Sequence, residues 1–241
     1  MPARPGARVC WVINKLTFKL TCQLTSKFAC FGAAALLALN AHATEPASEA
    51  QWIAAANGAV EFGRAQGLPI ELEVEAGPGL SGHTPIGIWS ANGRCTLIVS
   101  ARGNPTAARL SAMIAPEQLD LFLAGAAMHE VGHCHRRLLG YPHNEKLLPI
   151  VAWITPLRSW FTQRTQTEEV YADMFEVAWL ARYHPEQFSS VMNEIVKVRT
   201  RFLEPKHDTL PWLEIALAEG PKDDGRNLFQ LAAQHQSRYR R

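Results

Sequence analysis

Apolar positions recur at helical spacing across Ser48 to Gln66, where Trp52, Ile53, Ala56 and Val60 share one face and Gly67 with Pro69 closes the segment. The period then changes. Ile70 to Ala76 alternates strictly between apolar residues and glutamates, the pattern of a strand with one wet face. After a Gly/Pro-rich bend at Gly77 to Gly82, the runs Ile86 to Ser90 and Cys95 to Ser100 flank Asn92-Gly93, which predicts a two-residue hairpin. Helical spacing returns at Pro116-Glu117 and continues through Leu119, Phe122 and Ala126 to a stop near Gly140-Tyr141-Pro142. Leu147 to Phe161 is apolar but broken by Pro149 and Pro156, and reads either as a hydrophobic wall over a site or as core between helices. Four more helices are expected at Thr165 to Tyr183, Pro185 to Phe202, Thr209 to Ala218 and Asn227 to Gln236.

These elements predict an α+β fold, mostly helical, with a small antiparallel sheet packed beside the helix that begins at Pro116. No repeat or linker divides residues 44–241, which are enough for one domain with a real core. Residues 1–43 read differently. Arg4, Arg8, Lys15, Lys19 and Lys27 precede an apolar run from Phe28 to Leu39, and Ala41-His42-Ala43 offers a small-residue cleavage pattern. That is the layout of a signal peptide, with a periplasmic or secreted mature chain; the alternative is an uncleaved N-terminal anchor. The apolar run is short against the ~20 residues of a spanning helix, so no transmembrane span is expected in the mature chain, while peripheral membrane contact and oligomeric state stay open.

Five of the 24 basic residues and none of the 22 acidic ones lie in that leader, so its removal takes the net charge from +2 to −3. No basic stripe remains to attract nucleic acid; the Arg238, Arg240, Arg241 cluster reads as a solvated tail. Of five cysteines only Cys95 and Cys134 fall outside the leader. In an exported chain they are either one disulfide or two buried thiols.

The candidate chemistry sits on the helix that begins at Pro116. His129-Glu130-Val131-Gly132-His133 places two imidazoles at i and i+4, on one face and about 5–6 Å apart at Cβ, where both can reach one cation. Glu130 lies about 100° round the helix, placed to act as a base toward water instead of as a ligand. A third histidine two turns on is absent, because Arg136 and Leu139 stand where the extended motif needs Gly and His. A carboxylate from a later helix is the alternative. Glu169 and Asp173 are at i and i+4, so Glu169 could bind the metal while Asp173 accepts the remaining ring N–H of a ligand histidine. Glu168 points about 100° away and is the weaker candidate. Glu176 is on nearly the same face as Asp173 but outside this pattern. Cys134 follows the second histidine directly, yet its helix angle turns it toward Val131 and Leu138 and the core.

At these two blocks the chain resembles the gluzincin metallopeptidases, and within them the family of the CAAX prenyl endoproteases, the heat-shock membrane proteases and their soluble periplasmic relatives. The similarity rests on His129-Glu130-Val131-Gly132-His133 and on Glu169-Val170-Tyr171-Ala172-Asp173, within about residues 85 to 215. It implies a zincin-like domain with one Zn2+ held by His129, His133 and Glu169, Glu130 as the base, and Asp173 behind the ligands. The family often carries Thr-His-Pro followed by an Arg; here the similar stretch is Thr209-Leu210-Pro211 with no Arg close behind, and His207 lies nearby. His207 and Tyr141 are the candidates for hydrogen bonding a substrate oxyanion, with Tyr171 assigned to the core. His135 reads as surface, and His83, His143, His184 and His235 as solvent-facing.

The expected activity is therefore that of a zinc-dependent endopeptidase acting on polypeptides of the envelope or outside the cell. Its rival is a zinc-containing envelope chaperone or assembly factor with weak or no proteolysis, using the Leu147 to Phe161 stretch as a client surface. An exposed strand edge beside the metal helix suits an extended peptide, unless another segment covers it.

Overall fold

A capping box starts the first helix. Ser48 Oγ accepts from Gln51 N at 3.3 Å while Gln51 Oε1 accepts from Ser48 N at 2.9 Å, so α1 runs Glu49–Ala65. The structure, a computed structural model, describes residues 46–77, 84–141, 155–202 and 207–238. The expected leader, His83, His143 and residues 147–154 lie outside the described residues.

Three strands follow: β1 Ile70–Val74, β2 Ile86–Ala91 and β3 Arg94–Val99. Asn92 and Gly93 adopt φ of 51° and 71°, the left-handed pair that a tight two-residue hairpin needs, and Asn and Gly are the residues that tolerate it. β2 and β3 pair antiparallel, with Ile88 opposite Leu97 and Ser90 opposite Cys95. β1 differs from the expectation of an all-antiparallel sheet. It lies parallel to β3, Ile70 beside Cys95 and Val74 beside Val99, giving a mixed sheet in the order β1-β3-β2. Alternation identifies a strand but not its partner, and the chain between β1 and β2 is long enough to carry β2 to the far side of β3.

The Asn104-capped helix α2 (Pro105–Met113) was not evident from the apolar spacing, because only Ala107 and Ser111 are buried. A 3-10 turn at Pro116–Gln118 then leads into α3, Leu119–Leu138. α4 spans Thr155–Tyr183, ten residues earlier than the apolar period suggests. Pro156 is in its first turn, where proline costs no hydrogen bond, so it does not break the helix. α5 Phe188–Arg201, α6 Leu210–Glu219 and α7 Leu228–Arg238 complete the fold, which is α+β and mostly helical.

α3 is the central element. It packs on α4, α1 and β2, burying Leu123, Ala127, Val131 and Cys134. Cys134 is joined to Cys95 of β3 by a disulfide with a Cα separation of 5.9 Å, and both residues are fully buried. This link ties the helix bearing the histidines to the middle strand. Ser100 N donates to Pro85 O at 2.8 Å, so the alternate residues Ile86, Ile88 and Ser90 turn their main-chain groups to the outer edge of the sheet. Arg137, from α3, donates to the Ile88 carbonyl on that edge. Among the described residues, no helix is long and apolar enough to cross a membrane.

Candidate metal centre

Where α3 crosses α4, a Cβ on Gly132 would lie 3.0 Å from Ala172 Cα and 3.1 Å from Phe175 Cβ. The missing side chain lets the two backbones approach, and that approach brings histidines of one helix to carboxylates of the other. His129 and His133 are 7% and 6% exposed, Glu169 is 6% exposed and Asp173 is fully buried.

His129 Nε2 and His133 Nε2 are 3.1 Å apart, and each is 3.5 Å from a Glu169 carboxylate oxygen. Three donors about 2.05 Å from one centre at tetrahedral angles would be about 3.3 Å from each other. The observed spacings of 3.1 and 3.5 Å are close to that requirement, with the two histidines facing different oxygens of the one carboxylate. The chemistry of the triangle fits too: two imidazole nitrogens facing each other need a proton or a cation between them, and a carboxylate completes the charge. His129, His133 and Glu169 are thus a buried group able to hold a metal ion.

Asp173 supports this group from behind. Its Oδ1 lies 2.7 Å from His129 Nδ1, which leaves Nε2 to face His133 and Glu169. The same carboxylate accepts hydrogen bonds from Arg199 at Oδ1 and from Thr209 Oγ1 at Oδ2. Burial works to raise the Asp173 pKa, but Arg199 and His129 together hold it down to about 2. Burial opposes a charged His129, yet Asp173 and Glu169 raise its pKa to about 10 in the metal-free arrangement. Glu169 is held well below the usual carboxylate range, its burial outweighed by His133, His129 and His207. Arg199 balances Asp173, and the charge of Glu169 is left to be balanced by a proton shared with the histidines or by a metal ion.

The remaining expected residues fall in several places. His207 joins the site, with Nδ1 3.2 Å from Glu169 Oε2 and its side chain 33% exposed. Glu130 is half-buried on α3, adjacent in sequence to the first histidine. Glu168 turns away and pairs with Arg136 through bonds of 2.7 and 3.1 Å. Tyr141 is not brought to the site; its ring lies under the Arg136 guanidinium, 3.4 Å from the centroid. Tyr171 is 1% exposed and sits in the core, as its position between the carboxylates suggests.

Two histidines depart from the reading of them as surface groups, and one carboxylate outside the expected pattern is buried at the site. His135 is half-buried, 2.8 Å from Tyr171 Oη and stacked on Phe229 at 3.9 Å. His235 is 6% exposed. Glu176 is 4% exposed beside His129 and Asp173, and burial followed by repulsion from Asp173 pushes its pKa up to about 7. Gly125 makes room for it, since a Cβ there would overlap Glu176 Oε1. His129, Asp173 and Glu176 form a second group with metal-ligating atoms in reach of each other, but Arg199 already supplies positive charge to Asp173.

Arg199 is the site residue that the sequence did not reveal. The family pattern carries an arginine after the Thr-His-Pro segment, which this chain lacks; the arginine that reaches the site comes from the last turn of α5, before Thr209. Thr209, read only as part of a weak similarity, binds Asp173 directly. No protein-family model, curated protein or solved structure matches this chain.

Proposed function

We propose that this chain is a zinc-dependent endopeptidase of the gluzincin type. The observation that carries the reading is the triangle of His129, His133 and Glu169 with Asp173 bonded to the far nitrogen of His129. Two imidazoles and one carboxylate, backed by a second carboxylate, are the donor set that suits zinc with a coordination position left open. The resemblance of the two sequence blocks to the CAAX prenyl endoprotease and heat-shock membrane protease family points the same way.

Zinc held there would lower the pKa of a bound water to about 7 and polarise a carbonyl oxygen. Glu130 takes a proton from the attacking water on its carboxylate as the water oxygen bonds to the peptide carbonyl carbon. It then delivers that proton to the leaving nitrogen as the C–N bond breaks, giving an acid and an amine. His207, partly exposed at the rim of the group, donates a hydrogen bond to the oxyanion that develops. Asp173, fixed by Arg199 and Thr209, keeps the His129 ring in the orientation that presents Nε2. The outer edge of β2 offers the main-chain groups of Ile86 and Ser90 to an extended peptide, beside the Ile88 carbonyl that Arg137 holds. The Cys95–Cys134 bridge suits a periplasmic or extracellular setting, where disulfides persist.

The test is Glu130→Gln on a generic unfolded protein substrate. A neutral amide cannot accept the proton, so the variant keeps fold and zinc while hydrolysis is lost. Equal turnover by the variant and the parent refutes the mechanism.

A further inference from the structure

Gln166, Glu169 and Asp173 are spaced i, i+3 and i+7, which lays them along one stripe of α4. Three consecutive residues of the segment before α6 are held by that stripe, one each. His207 Nδ1 meets Glu169 at 3.2 Å. The Asp208 carbonyl accepts from Gln166 Nε2 at 2.7 Å. Thr209 Oγ1 donates to Asp173. Two of these contacts end on carboxylates of the candidate site. The Gln166 contact does not, and it goes to a main-chain atom instead of a side chain.

We propose that Gln166 is a positioning residue for His207. The inference rests on the endopeptidase reading above and adds a residue to it. The His207 side chain is a third exposed and, among the described residues, forms an ion pair with Glu169. That contact weakens once Glu169 shares its charge with a metal. The direction of the imidazole is then set by the main chain on which it is carried. Thr209 fixes that main chain through its side chain two residues on, and Gln166 fixes the orientation of the Asp208–Thr209 peptide between them. With Gln166 bonded, the Asp208–Thr209 peptide cannot rotate freely, which limits the directions that the main chain can give the His207 ring. Without it the segment keeps its Thr209 anchor and remains in place, but His207 samples other directions.

Gln166→Met tests this, because it keeps length and volume while removing the donor. The full chain is loaded with zinc and assayed on a quenched fluorescent peptide that the parent cleaves. Gln166→Met should lower kcat about 10-fold, within the roughly 10²-fold that misplacement of a working group can cost, with KM and zinc content unchanged. His207→Ala should lower kcat at least as far, and Gln166→Met combined with His207→Ala should be no worse than His207→Ala alone. Additive losses, a loss confined to KM or metal content, or unchanged kcat in Gln166→Met overturns the proposal. A second readout is independent of turnover. The His207 ring signals in the NMR spectrum of the zinc-loaded protein, identified by their loss in His207→Ala, should shift in Gln166→Met; unshifted signals overturn the proposal. If the parent cleaves no peptide, the endopeptidase reading fails, and the ring signals alone decide the part about Gln166.

Discussion

Replacing Gly132 by alanine sets two effects of similar size against each other, and the structure decides the sign. Alanine is favoured over glycine within a helix by about 1 kcal/mol. Gly58 shows that gain without interference: it is exposed in the middle of α1, and nothing lies within 4 Å of where its Cβ would be. At Gly132 the added Cβ meets Ala172 Cα at 3.0 Å and Phe175 Cβ at 3.1 Å. Comfortable carbon contacts need about 3.5–4.0 Å. The first of those atoms is backbone, so relief requires α3 and α4 to part by roughly half an ångström. Overpacking of this kind costs about 1–3 kcal/mol, which leaves a net loss of about 1 kcal/mol after the helical gain. For a domain of this size that is a fall in Tm of about 2–4 °C, against a rise of the same size for Gly58→Ala. The parting also separates both histidines from Glu169 while leaving the distance between them unchanged. Zinc affinity should fall about 10-fold, the low end of what losing a partner of a metal ligand costs. The assays are thermal unfolding of the metal-free chains and competitive zinc titration against a chelator. A Gly132→Ala chain that is as stabilised as Gly58→Ala and binds zinc as the parent does would refute the close-approach argument.

Asp173→Ala should lower zinc affinity or activity by about 10–100-fold in the same titration, because His129 loses the group that orients it. Glu176 is buried beside it, so the exposed Glu186 is the better control; Glu186→Ala should bind zinc like the parent, and equal binding by both variants would mark Asp173 as irrelevant to the site. Replacing both Cys95 and Cys134 by alanine opens a link across a sequence separation of 39 and should cost about 4 kcal/mol, read from the denaturant midpoint of oxidised parent and variant. A loss below about 1 kcal/mol would show that the bridge does not constrain the chain as the structure indicates.

What was legible in the sequence was set by local geometry. His129 and His133, and likewise Glu169 and Asp173, could be paired because helical rotation alone puts i and i+4 on one face. The same arithmetic separated Glu168 from Glu169, and the structure sends Glu168 to Arg136 instead. The hairpin at Asn92-Gly93 was visible for a similar reason, since its two left-handed residues are written in the residue types. What was hidden depends on how elements dock. Arg199 lies 26 residues beyond Asp173 on another helix, and no spacing rule connects them. Glu176 shares a face with Asp173, but periodicity gives direction and not depth, so its burial was missed. The parallel partner of β1 was hidden too, because an alternating strand carries no mark of its neighbour. Pro156 misled in the opposite way, since proline in a first turn looks the same in sequence as proline in a break.

The proposed function requires one zinc ion joining α3 to α4 through His129, His133 and Glu169. Its most direct test is the metal content of the purified chain by elemental analysis after dialysis, for the parent and for His129→Ala, His133→Ala and Glu169→Ala. One zinc per chain is expected in the parent, no stoichiometric zinc in either histidine variant, and weakened binding in Glu169→Ala. A parent that holds no zinc when supplied with it, or histidine variants that both retain a full equivalent, would contradict it.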